Sequence, residues 1–470
     1  MLRNFLYGIS LSCFILQAIA DGDRTPPNVL LIFVDDLGYC DTELYGCDTV
    51  PTPNINRLAD EGVLFTDGYV SSPVCSPSRA GLLTGRHQQR FGHEFLPSTA
   101  ADSTSGLPMG EVTLADVMRD AGYVTGMVGK WHLGVQKQFH PTNRGFDEFF
   151  GMTTWGADYV DPTRDDVKVI RRPRRPVPTG NWERGIDTVQ RGTTPVAEGE
   201  YLTEAFTQEA IAFINKHKER PFFLYLPHLA VHGPLQVTQK YYDRFPHIKD
   251  ESSRIYAAMT SALDDGIGEV LDALEQNGLD DNTLVIFTSD NGAGVADYCS
   301  NEPLRLGKQT MFEGGVRVPF AIKWPGKIPK GTTYEHPIST LDIFPTVLAA
   351  AGASPPTDIA LDGVDLMPYL SGSNSEKPHD KLFWRAGNIW ATRDGDWKLI
   401  YAADRHWLYD LSADIGEKTN LADKRPDMVK EMTASFEQWN RGNVEPLWPS
   451  FGTKGMPRFS VDGVNINWTF

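Results

Sequence analysis

The sequence predicts an α/β fold in which a large mixed, mostly parallel sheet is sandwiched by helices, with a second, smaller domain. Uninterrupted apolar runs such as Val29–Val34 are typical of strands buried on both faces of a parallel sheet. Amphipathic segments at helical spacing, Leu202–Lys216 and Ile255–Leu274 among them, alternate with these runs up to about Ala350. Because the 470 residues exceed a usual single domain, we expect one large and one small domain.

The composition excludes two classes of protein. The chain carries 44 Lys plus Arg against 61 Asp plus Glu, a formal net charge of −17, which excludes a basic nucleic-acid coat, so we expect no nucleic-acid partner. Apolar residues make up 41% and charged residues 22%, a balance that disordered chains lack. We therefore expect a folded chain with an extensive core.

The first 20 residues have the pattern of a signal peptide. Arg3 precedes an apolar stretch that ends in Ala18-Ile19-Ala20, a small-x-small pattern for signal peptidase. The rival interpretation, a membrane anchor, needs roughly 20 apolar residues, and this stretch is shorter. We predict a signal peptide at 1–20, a large domain at 21–375 and a smaller one at 376–470. The protein is then exported, periplasmic or secreted, without a membrane span after cleavage.

Cysteines are too sparse for a disulfide scaffold. Once the signal peptide is removed, Cys40, Cys47, Cys75 and Cys299 remain, so the core must stabilise the fold. Cys40 and Cys47 could close a short loop in an oxidising compartment, but spacing alone leaves their pairing open.

Four of the predicted strands lead into polar residues. Because the carboxyl ends of parallel strands share one edge of a sheet, these residues can converge. The runs and the residues that follow them are Val29–Val34 with Asp35 and Asp36, Tyr123–Val128 with Lys130 and His132, Phe222–Leu226 with His228 and His232, and Thr283–Thr288 with Asp290 and Asn291.

The acidic residues in this set are candidate metal ligands. Asp35, Asp36, Asp290 and Asn291 supply oxygen atoms alone, and such hard ligands suit Ca²⁺ or Mg²⁺ better than Zn²⁺. The alternative is that both pairs are turn formers after strands, as such residues usually are. From these residues by themselves, both interpretations stay open.

The segment Cys75–Ala80 predicts a helix start beside a cysteine. Ser76 is a good N-cap, Pro77 suits the first helical position and Gly85 can end the helix. Cys75 would then lie at the helix amino terminus, where the dipole and Arg79 favour negative charge. The alternative is an ordinary capped helix with a buried cysteine and a surface arginine.

Six motifs occur in a fixed order along the chain. They are Asn28–Gly38; Cys75-x-Pro77-x-Arg79 with Leu82-Leu83-Thr84-Gly85; Gly129-Lys130-Trp131-His132-Leu133-Gly134; Val231-His232-Gly233-Pro234; Thr288-Ser289-Asp290-Asn291-Gly292; and Gly307-Lys308 with Glu313-Gly314-Gly315-Val316-Arg317-Val318-Pro319. In these the sequence resembles type I, formylglycine-dependent sulfatases of the alkaline phosphatase superfamily, from about Asn28 to Leu421. Asp396–Ile400 and Leu408–Leu411 resemble the smaller carboxy-terminal domain of these enzymes, and Ile415 departs from their common proline.

The resemblance implies an alkaline phosphatase-like catalytic domain and a smaller C-terminal α+β domain with an antiparallel sheet and a helix. It implies that a formylglycine-generating or anaerobic sulfatase-maturing enzyme oxidises Cys75 to formylglycine. A hydroxyl of the hydrated aldehyde would attack the sulfur of a sulfate ester and form a covalent sulfo-enzyme. Ca²⁺, with Mg²⁺ fitting less well, would be bound by the residues that match the family's ligands: Asp35, Asp36, Asp290, Asn291 and the modified Cys75.

The remaining site residues are also carried over from the resemblance. Arg79, Lys130 and Lys308 match the cationic contacts to formylglycine and sulfate. His132 would hold a formylglycine hydroxyl and serve as the base, and His232 would protonate the leaving alcohol, a role that Lys308 could also fill. Lys130, His232 and Lys308 would thus contact the substrate as well. His228 either lines the site or packs at a strand end.

A basic stretch is a candidate substrate-binding segment. Arg172 and Arg174, with Lys168, Arg171 and Arg175, lie in Asp166–Pro178, within a loop-like insertion from about Gly156 to Thr194. These residues could bind further sulfates of a polymer, or they form a solvated loop. Further candidates with both a substrate-binding and a structural interpretation are Trp155, Tyr159 and Trp182, for stacking on sugars, and His93.

We expect the substrate to be a sulfated polysaccharide or its oligosaccharides. Sulfated algal galactans such as carrageenan are suggested by the similarity to bacterial polysaccharide sulfatases, not by a particular residue. Two alternatives stay open: a phosphodiesterase or phosphonate hydrolase on the same scaffold, and a non-catalytic carbohydrate-binding protein with an unmodified Cys75.

Overall fold

The structure is a computed structural model that describes residues 26–100, 102–170, 188–197, 199–450 and 459–466. The predicted signal peptide, residues 1–20, lies outside these ranges. In the described residues, no helix combines the length and the apolar character needed to cross a membrane.

Strands and helices alternate through the first three quarters of the chain, as the sequence predicts. The strands are β1 (Asn28–Val34), β2 (Val63–Phe65), β3 (Gly68–Tyr69), β4 (Val124–Lys130), β5 (Glu148–Met152), β6 (Val167–Ile170), β7 (Gln190–Arg191), β8 (Thr194–Pro195), β9 (Phe222–Pro227), β10 (Leu235–Thr238), β11 (Thr283–Ser289), β12 (Phe320–Lys323), β13 (Thr332–Tyr334), β14 (Ile338–Ser339), β15 (Lys381–Ala386), β16 (Ile389–Asp394), β17 (Trp397–Ala402), β18 (Arg405–Asp410), β19 (Phe459–Val461) and β20 (Val464–Ile466). The α-helices are α1 (Pro53–Asp60), α2 (Cys75–Thr84), α3 (Leu114–Asp120), α4 (Leu202–His217), α5 (Gln239–Tyr242), α6 (Glu251–Gln276), α7 (Glu313–Val316), α8 (Ile343–Ala351), α9 (Met367–Leu370) and α10 (Pro426–Asn440).

The main sheet has ten strands within the described ranges, in the order β13-β2-β12-β11-β1-β9-β4-β5-β7-β8. The central strands β11, β1, β9, β4 and β5 are parallel to one another. β12 and β7 pair antiparallel with the two sides of this block. The prediction of a mixed, mostly parallel sheet is therefore confirmed.

Strand β1 shows why its apolar run has no polar gaps. Leu30, Ile32 and Val34 pack into a core on one face of the sheet with residues of α4 and α6. Val29, Leu31 and Phe33 pack into the core on the other face, which includes residues of α2, α3 and α8. Because side chains alternate between faces, a strand between two helical layers must be apolar at every position.

The smaller C-terminal domain is an antiparallel sheet covered by a helix. Strands β15 to β18 pair in sequence order, and α10 packs on one face through Met432 and Phe436. The other face contacts the large domain in a core shared by Tyr69, Phe312 and Trp384. The sheet therefore lies against the segment that begins α7.

A buried ionic cluster joins the two domains beside this shared core. Lys398 Nζ of β17 donates to Glu313 Oε1 at 2.7 Å and lies 3.4 Å from Glu417 Oε1. The Glu313 backbone N–H donates to Glu417 Oε2 at 2.7 Å, and Glu313 also accepts hydrogen bonds from Tyr69 and Arg317. The start of α7 is thus bonded to two separate parts of the C-terminal domain.

Two local features differ from or complete the sequence predictions. The predicted loop-like insertion contains β6, which pairs antiparallel with β10, and β7, which pairs antiparallel with β5. The description of it as a loop is therefore wrong for Val167–Ile170 and Gln190–Arg191. These pairings join residues far apart in sequence, which a local pattern does not reveal. Cys40 and Cys47, whose pairing was open, form a disulfide with Cα atoms 5.5 Å apart.

Candidate active site

The carboxyl ends of four neighbouring parallel strands bring the predicted residues to one edge of the main sheet. Strands β11, β1, β9 and β4 are adjacent, and Val34 of β1 is in register with Ser289 of β11. The residues that follow these strands, or end them, are Asp290 and Asn291, Asp35 and Asp36, His232, and Lys130. The predicted convergence is confirmed for these side chains.

Each carboxylate of the site has a cationic partner. Lys130 Nζ donates to Asp35 Oδ2 at 2.5 Å, and both side chains are fully buried. Arg79 donates from two nitrogens to Asp290 Oδ2, at 3.0 and 2.7 Å. Lys308 Nζ donates to Asp36 Oδ1 at 2.5 Å. These ion pairs link residues from five separate segments.

The pKa values of Asp36 and Asp290 are shifted in opposite directions. Burial by itself would raise the pKa of Asp36, but the charge of Lys308 and its hydrogen bond to Asp36 outweigh burial and lower that pKa. Burial and the charge of Asp35 raise the pKa of Asp290, against the opposing charge of Arg79. The repulsion between the acidic groups is therefore incompletely offset by the three cations.

Two buried oxygens at the centre of the cluster accept no hydrogen bond from any residue that the structure describes. They are Asp35 Oδ1 and Asn291 Oδ1, while Asn291 Nδ2 donates to Asp36 Oδ1 at 2.7 Å. Asp35, Asp36 and His232 also have ligand atoms within 4.8 Å of one another. Unpartnered buried oxygens are rare, and a hard divalent cation is a partner that these oxygens fit.

Cys75 begins α2 and lies beside His132. Its Sγ is 3.3 Å from His132 Nδ1, and burial raises the pKa of the thiol. The N-cap is Val74, in extended conformation, so the prediction that Ser76 caps the helix is wrong. Ser76 is unavailable as a cap because its hydroxyl donates to the His132 carbonyl at 2.7 Å. The predicted end of the helix at Gly85, with φ of 64°, is confirmed.

Arg79 has no exposed surface, so the interpretation of it as a surface arginine is wrong. Besides Asp290, it donates to the Lys130 carbonyl at 2.9 Å and lies over the Phe33 ring. A guanidinium with these partners holds the end of β4 and the segment after β11 in fixed relative positions.

Two histidines flank the cluster in their neutral forms. Burial and the charges of Lys130 and Arg79 lower the pKa of His132, whose backbone is left-handed with φ of 60°. Burial and Lys130 lower the pKa of His232 to about 3, against the opposing charge of Asp36. His232 Nδ1 lies 2.7 Å from the Gly233 carbonyl, so Nδ1 carries the proton and Nε2 faces Asp36 at 3.8 Å.

Lys308 lies in the segment between β11 and α7, five residues before α7 begins. Burial disfavours its charge, but Asp36 and the neighbouring thiol and carboxyl groups raise its pKa above the usual value. The Lys308 backbone donates to the Ala293 carbonyl and the Gln309 backbone to the Pro73 carbonyl, both at 2.8 Å. This segment is therefore bonded to parts of the chain adjoining both Asn291 and Cys75.

Tyr159, His228 and Trp155 are further candidates from the sequence analysis that the structure describes. Tyr159 is fully buried and its hydroxyl donates to the Leu229 carbonyl at 2.9 Å, so a sugar-stacking role is wrong for it. His228 is fully buried and packs at the end of β9 near Phe206, as its structural interpretation predicts. Trp155 is partly exposed and packs edge-on to His232. Arg171, Arg172, Arg174, Arg175 and Trp182 lie outside the described residues.

Sequence reasoning missed side chains that hold the site's loops. Asp41 accepts hydrogen bonds from the backbones of Gly38 and Ser300, both at 2.7 Å, and from the Tyr256 hydroxyl at 2.6 Å. Ser289 Oγ accepts from the Leu37 backbone at 3.1 Å. Asp41 bonds residues more than 200 positions away, and no local pattern marks such a role.

Comparison with known proteins decides the family. The family model described as Sulfatase matches residues 27–353, and the model described as N-sulphoglucosamine sulphohydrolase, C-terminal, matches residues 305–441. This chain belongs to the sulfatase family. It is an enzyme, a sulfuric ester hydrolase, and the resemblance stated from its motifs is confirmed.

Relatives and solved structures agree with this assignment. N-acetylgalactosamine-6-sulfatase of Homo sapiens is 37% identical over 396 residues, which cover 81% of this chain and 73% of that protein. Arylsulfatase A of Homo sapiens is 36% identical over 472 residues, covering 90% of this chain and 89% of that protein. Ps i-CgsB in complex with k-i-k-neocarrahexaose superposes with a TM-score of 0.82 at 34% identity, over 90% of this chain and 95% of that chain. The alkaline phosphatase-like fold is thereby confirmed.

Proposed function

We propose that this sulfatase hydrolyses sulfate esters of a sulfated polysaccharide or oligosaccharide, with a formylglycine derived from Cys75 and a bound Ca²⁺. One observation carries the proposal. At the start of α2, Cys75 adjoins a cluster in which three cations, Arg79, Lys130 and Lys308, pair with carboxylates, and in which the buried oxygens Asp35 Oδ1 and Asn291 Oδ1 accept no hydrogen bond from the described residues. Such a cluster suits a tetrahedral oxyanion bound beside a metal ion.

The residues that would hold Ca²⁺ are Asp35, Asp36, Asp290 and Asn291, together with the modified Cys75. When bound, the ion would offset the carboxylate charges and polarise an oxygen of the sulfate group. Asp35 Oδ1 and Asn291 Oδ1 would gain in it the partner that they lack among the described residues. Mg²⁺ fits less well, because it demands near-ideal octahedral geometry and keeps several waters.

Formylglycine supplies, as a hydrated aldehyde, the oxygen nucleophile that a thiol does not. The Sγ atom of Cys75 stands for an oxygen of that modified side chain. His132 Nδ1, 3.3 Å from Sγ, is placed to hold the hydroxyl of residue 75 and to accept its proton. The base is poised for this because its imidazole is neutral in this setting.

The cationic side chains orient and stabilise the sulfate group. Lys130 and Lys308 each direct an ammonium to the acidic cluster, and we assign to them hydrogen bonds to oxygens of the sulfate group. His232 follows β9, the neighbour of the strand β4 that precedes His132, and its Nε2 faces Asp36 of the acidic cluster. We assign it proton donation from Nε2 to the leaving alcohol, which requires that the negative charge of the bound sulfate ester raises the pKa of His232 and protonates Nε2. Lys308 is the second candidate donor, and comparing His232→Gln with Lys308→Met on esters of good and poor leaving groups separates them: loss of the acid affects poor leaving groups most.

The substrate class rests on similarity, not on a contact in this structure. Ps i-CgsB, which superposes over 90% of this chain, was solved in complex with k-i-k-neocarrahexaose. We therefore propose a sulfated galactan of the carrageenan type for this chain, and Arg172 and Arg174 as substrate-binding residues. Trp155 is partly exposed beside His232, and we assign to it stacking on the sugar that carries the sulfate.

Export and maturation belong to the same proposal. We retain a signal peptide at residues 1–20, domain limits of 21–375 and 376–470, and a periplasmic or secreted protein without a membrane span after cleavage. Conversion of Cys75 requires a formylglycine-generating or anaerobic sulfatase-maturing enzyme. The Cys40–Cys47 disulfide is consistent with an oxidising compartment.

The test combines sulfate release with the mass of one peptide. Protein from a host that co-expresses a maturing enzyme is assayed by ion chromatography on carrageenan oligosaccharides, N-acetylgalactosamine 6-sulfate and an aryl sulfate. Trypsin should release Leu58–Arg79 intact, and its mass distinguishes thiol from aldehyde. We expect the aldehyde, release from the carrageenan oligosaccharides, and loss of turnover but not of binding in Cys75→Ala. Full activity in Cys75→Ala would contradict the assigned nucleophile.

The same assay decides between the alternatives. Sulfate and phosphate esters of one alcohol are compared in parallel: faster phosphate release would favour a phosphodiesterase or phosphonate hydrolase. Retention of oligosaccharide without sulfate release, in protein with confirmed formylglycine, would favour a carbohydrate-binding role.

A further inference from the structure

Two buried polar side chains behind the nucleophile have no role in the mechanism described above. Ser76 and His93 are fully buried, and the Ser76 hydroxyl lies between two partners. Its Oγ donates to the His132 carbonyl oxygen at 2.7 Å and lies 2.8 Å from His93 Nε2. These contacts form a chain from His93 through Ser76 to the backbone of His132.

The direction of each hydrogen bond between His93, Ser76 and His132 is assigned from the hydrogens that these groups can donate. A serine hydroxyl has one hydrogen, which Ser76 donates to the His132 carbonyl, so the bond to His93 must be donated by His93 Nε2–H. Burial lowers the pKa of His93 to about 3, so the ring is neutral near pH 7 and carries one N–H. In the hydrogen-bonded series His93–Ser76–His132, the single N–H of His93 is therefore on Nε2 and is donated to Ser76 Oγ.

The far end of the chain is the residue that contacts Cys75. His132 has a left-handed backbone, an uncommon conformation for a residue with a side chain, and it places Nδ1 3.3 Å from Cys75 Sγ. The orientation of the carbonyl and that of the ring depend on the same backbone angles. A hydrogen bond that fixes the carbonyl therefore also restricts the ring.

The near end of the chain is held by the C-terminal segment. The His93 ring packs edge-on against Trp448 with centroids 4.8 Å apart, and Trp448 Nε1 donates to the Phe95 carbonyl at 3.1 Å. The Leu447 backbone donates to the Gly92 carbonyl at 2.9 Å. Because the segment is bonded on both sides of His93, it fixes the ring that donates to Ser76.

We propose that Ser76 and His93 are positioning residues for His132: their hydrogen bonds hold its backbone so that the imidazole stays against residue 75. The inference rests on the proposed role of His132 as the base. His93 acts through Ser76, and neither residue touches the substrate. Loss of either should lower kcat and leave KM nearly unchanged, because the cationic sulfate contacts do not depend on them.

The experiment compares three single variants in the holoenzyme. His93→Leu removes the N–H donor, His93→Gln keeps an N–H near the Nε2 position, and His87→Leu is the matched control. His87 lies in the same segment, but its ring packs on Trp439 instead of Ser76. The formylglycine content of each is measured on the Leu58–Arg79 peptide. We expect kcat to be about 10- to 100-fold lower in His93→Leu than in the wild type. In His93→Gln most of this loss should be recovered, and in His87→Leu kcat should change less than about twofold.

Ser76→Ala tests the other half of the chain. It should match His93→Leu in kcat per formylglycine, and the double variant should lose no more than either single variant, since one hydrogen-bonded unit is broken once. Multiplicative losses would overturn the inference. So would wild-type kcat in fully converted His93→Leu, or equal losses in His93→Leu and His87→Leu.

A readout independent of turnover separates this inference from the proposed function. The side-chain ¹⁵N resonances of His132, assigned with His132→Gln, should shift in His93→Leu and Ser76→Ala but not in His93→Gln or His87→Leu. If the wild type releases no sulfate and these shifts occur, the proposed function fails and the positioning contact stands. Unshifted His132 resonances in His93→Leu and Ser76→Ala would refute the positioning role, whatever the activity.

Discussion

Replacing Lys398 by methionine is expected to lower the free energy of unfolding by about 3–5 kcal/mol, the usual effect of removing one partner from a buried ion pair. Lys398 is fully buried, with Nζ 2.7 Å from Glu313 Oε1 and 3.4 Å from Glu417 Oε1. Methionine fills a similar volume, so a cavity contributes little. The destabilisation comes from two carboxyl groups that lose their shared ammonium.

Glu417→Gln is the matched control in the same cluster. Burial and the charge of Glu313 raise the pKa of Glu417, against the opposing charge of Lys398, so the neutral form is favoured there. Glutamine resembles that neutral form and can still accept from the Glu313 backbone, so we expect a loss of about 1 kcal/mol or less. In the double variant Lys398→Met/Glu417→Gln, part of the Lys398→Met loss should be recovered, because one of the two stranded carboxyl groups is gone.

Urea unfolding at pH 7, followed by circular dichroism and by fluorescence, measures these differences, and coincidence of the two transitions permits two-state treatment. The cluster also bonds the start of α7, five residues after Lys308, so kcat of Lys398→Met is measured below its unfolding transition. Loss of less than about 1 kcal/mol in Lys398→Met, with an unchanged m-value, would refute the reasoning. It would show that water or local rearrangement compensates Glu313 and Glu417 for the loss of the Lys398 ammonium.

Three further outcomes are expected. Lys308→Ala should lower kcat/KM for a sulfate ester by about 10²- to 10³-fold, the usual effect of losing one donor to a developing oxyanion. Lys327 is exposed, and Lys327→Ala should leave kcat/KM unchanged. Equal effects of the two substitutions would contradict a role of Lys308 in the active site. With Ca²⁺ at about 100 times its Kd, adding a chelator should lower the free energy of unfolding by about 2.7 kcal/mol, and adding Ca²⁺ back should restore it. An unchanged melting curve after chelation would contradict a bound ion. Burial favours neutral His379, but Asp342, at 2.8 Å, raises its pKa. The stabilisation by the His379–Asp342 pair is therefore complete below about pH 6.5 and is lost as the pH rises through the pKa of His379 in the folded state. His379→Gln should make the melting temperature less dependent on pH. An unaltered dependence of the melting temperature on pH would exclude this linkage.

The fold could be predicted where local pattern and burial coincide. β1 was evident because a strand between two helical layers is apolar at every position, and its polar termination at Asp35 marks the sheet edge. The start of α2 was predicted within two residues from Pro77, but the cap was assigned to Ser76 instead of Val74. The error has a physical cause: a side chain that suits an N-cap locally was engaged by a carbonyl 56 residues away.

Long-range polar partners could not be predicted in the same way. The Glu313 backbone N–H donates to the Glu417 carboxyl group across 104 residues, and the Ser300 backbone N–H donates to the Asp41 carboxyl group across 259 residues. Neither partner carries a sequence signal, since a lone Glu or Asp is most often a solvated surface residue. The insertion strand β6 was missed for the same reason, because its pairing with β10 depends on residues brought together by the main sheet.

The charges of the site explain how an acidic chain can process an anion. The net charge of the chain is −17, yet two buried cations, Arg79 and Lys130, and the partly buried Lys308 face three buried or partly buried carboxylates in the cluster. A divalent cation held by the carboxylates would make this cluster positive, and its low-dielectric walls would strengthen the attraction for a sulfate group. Removing the charge of a carboxylate in this cluster therefore does not have the same effect on activity as adding a cation, because the carboxylate is also a lysine partner and a proposed metal ligand. Asp35→Asn would free Lys130 from its partner at 2.5 Å and weaken a metal ligand at the same time, so we expect it to lower activity although it makes the cluster formally more positive.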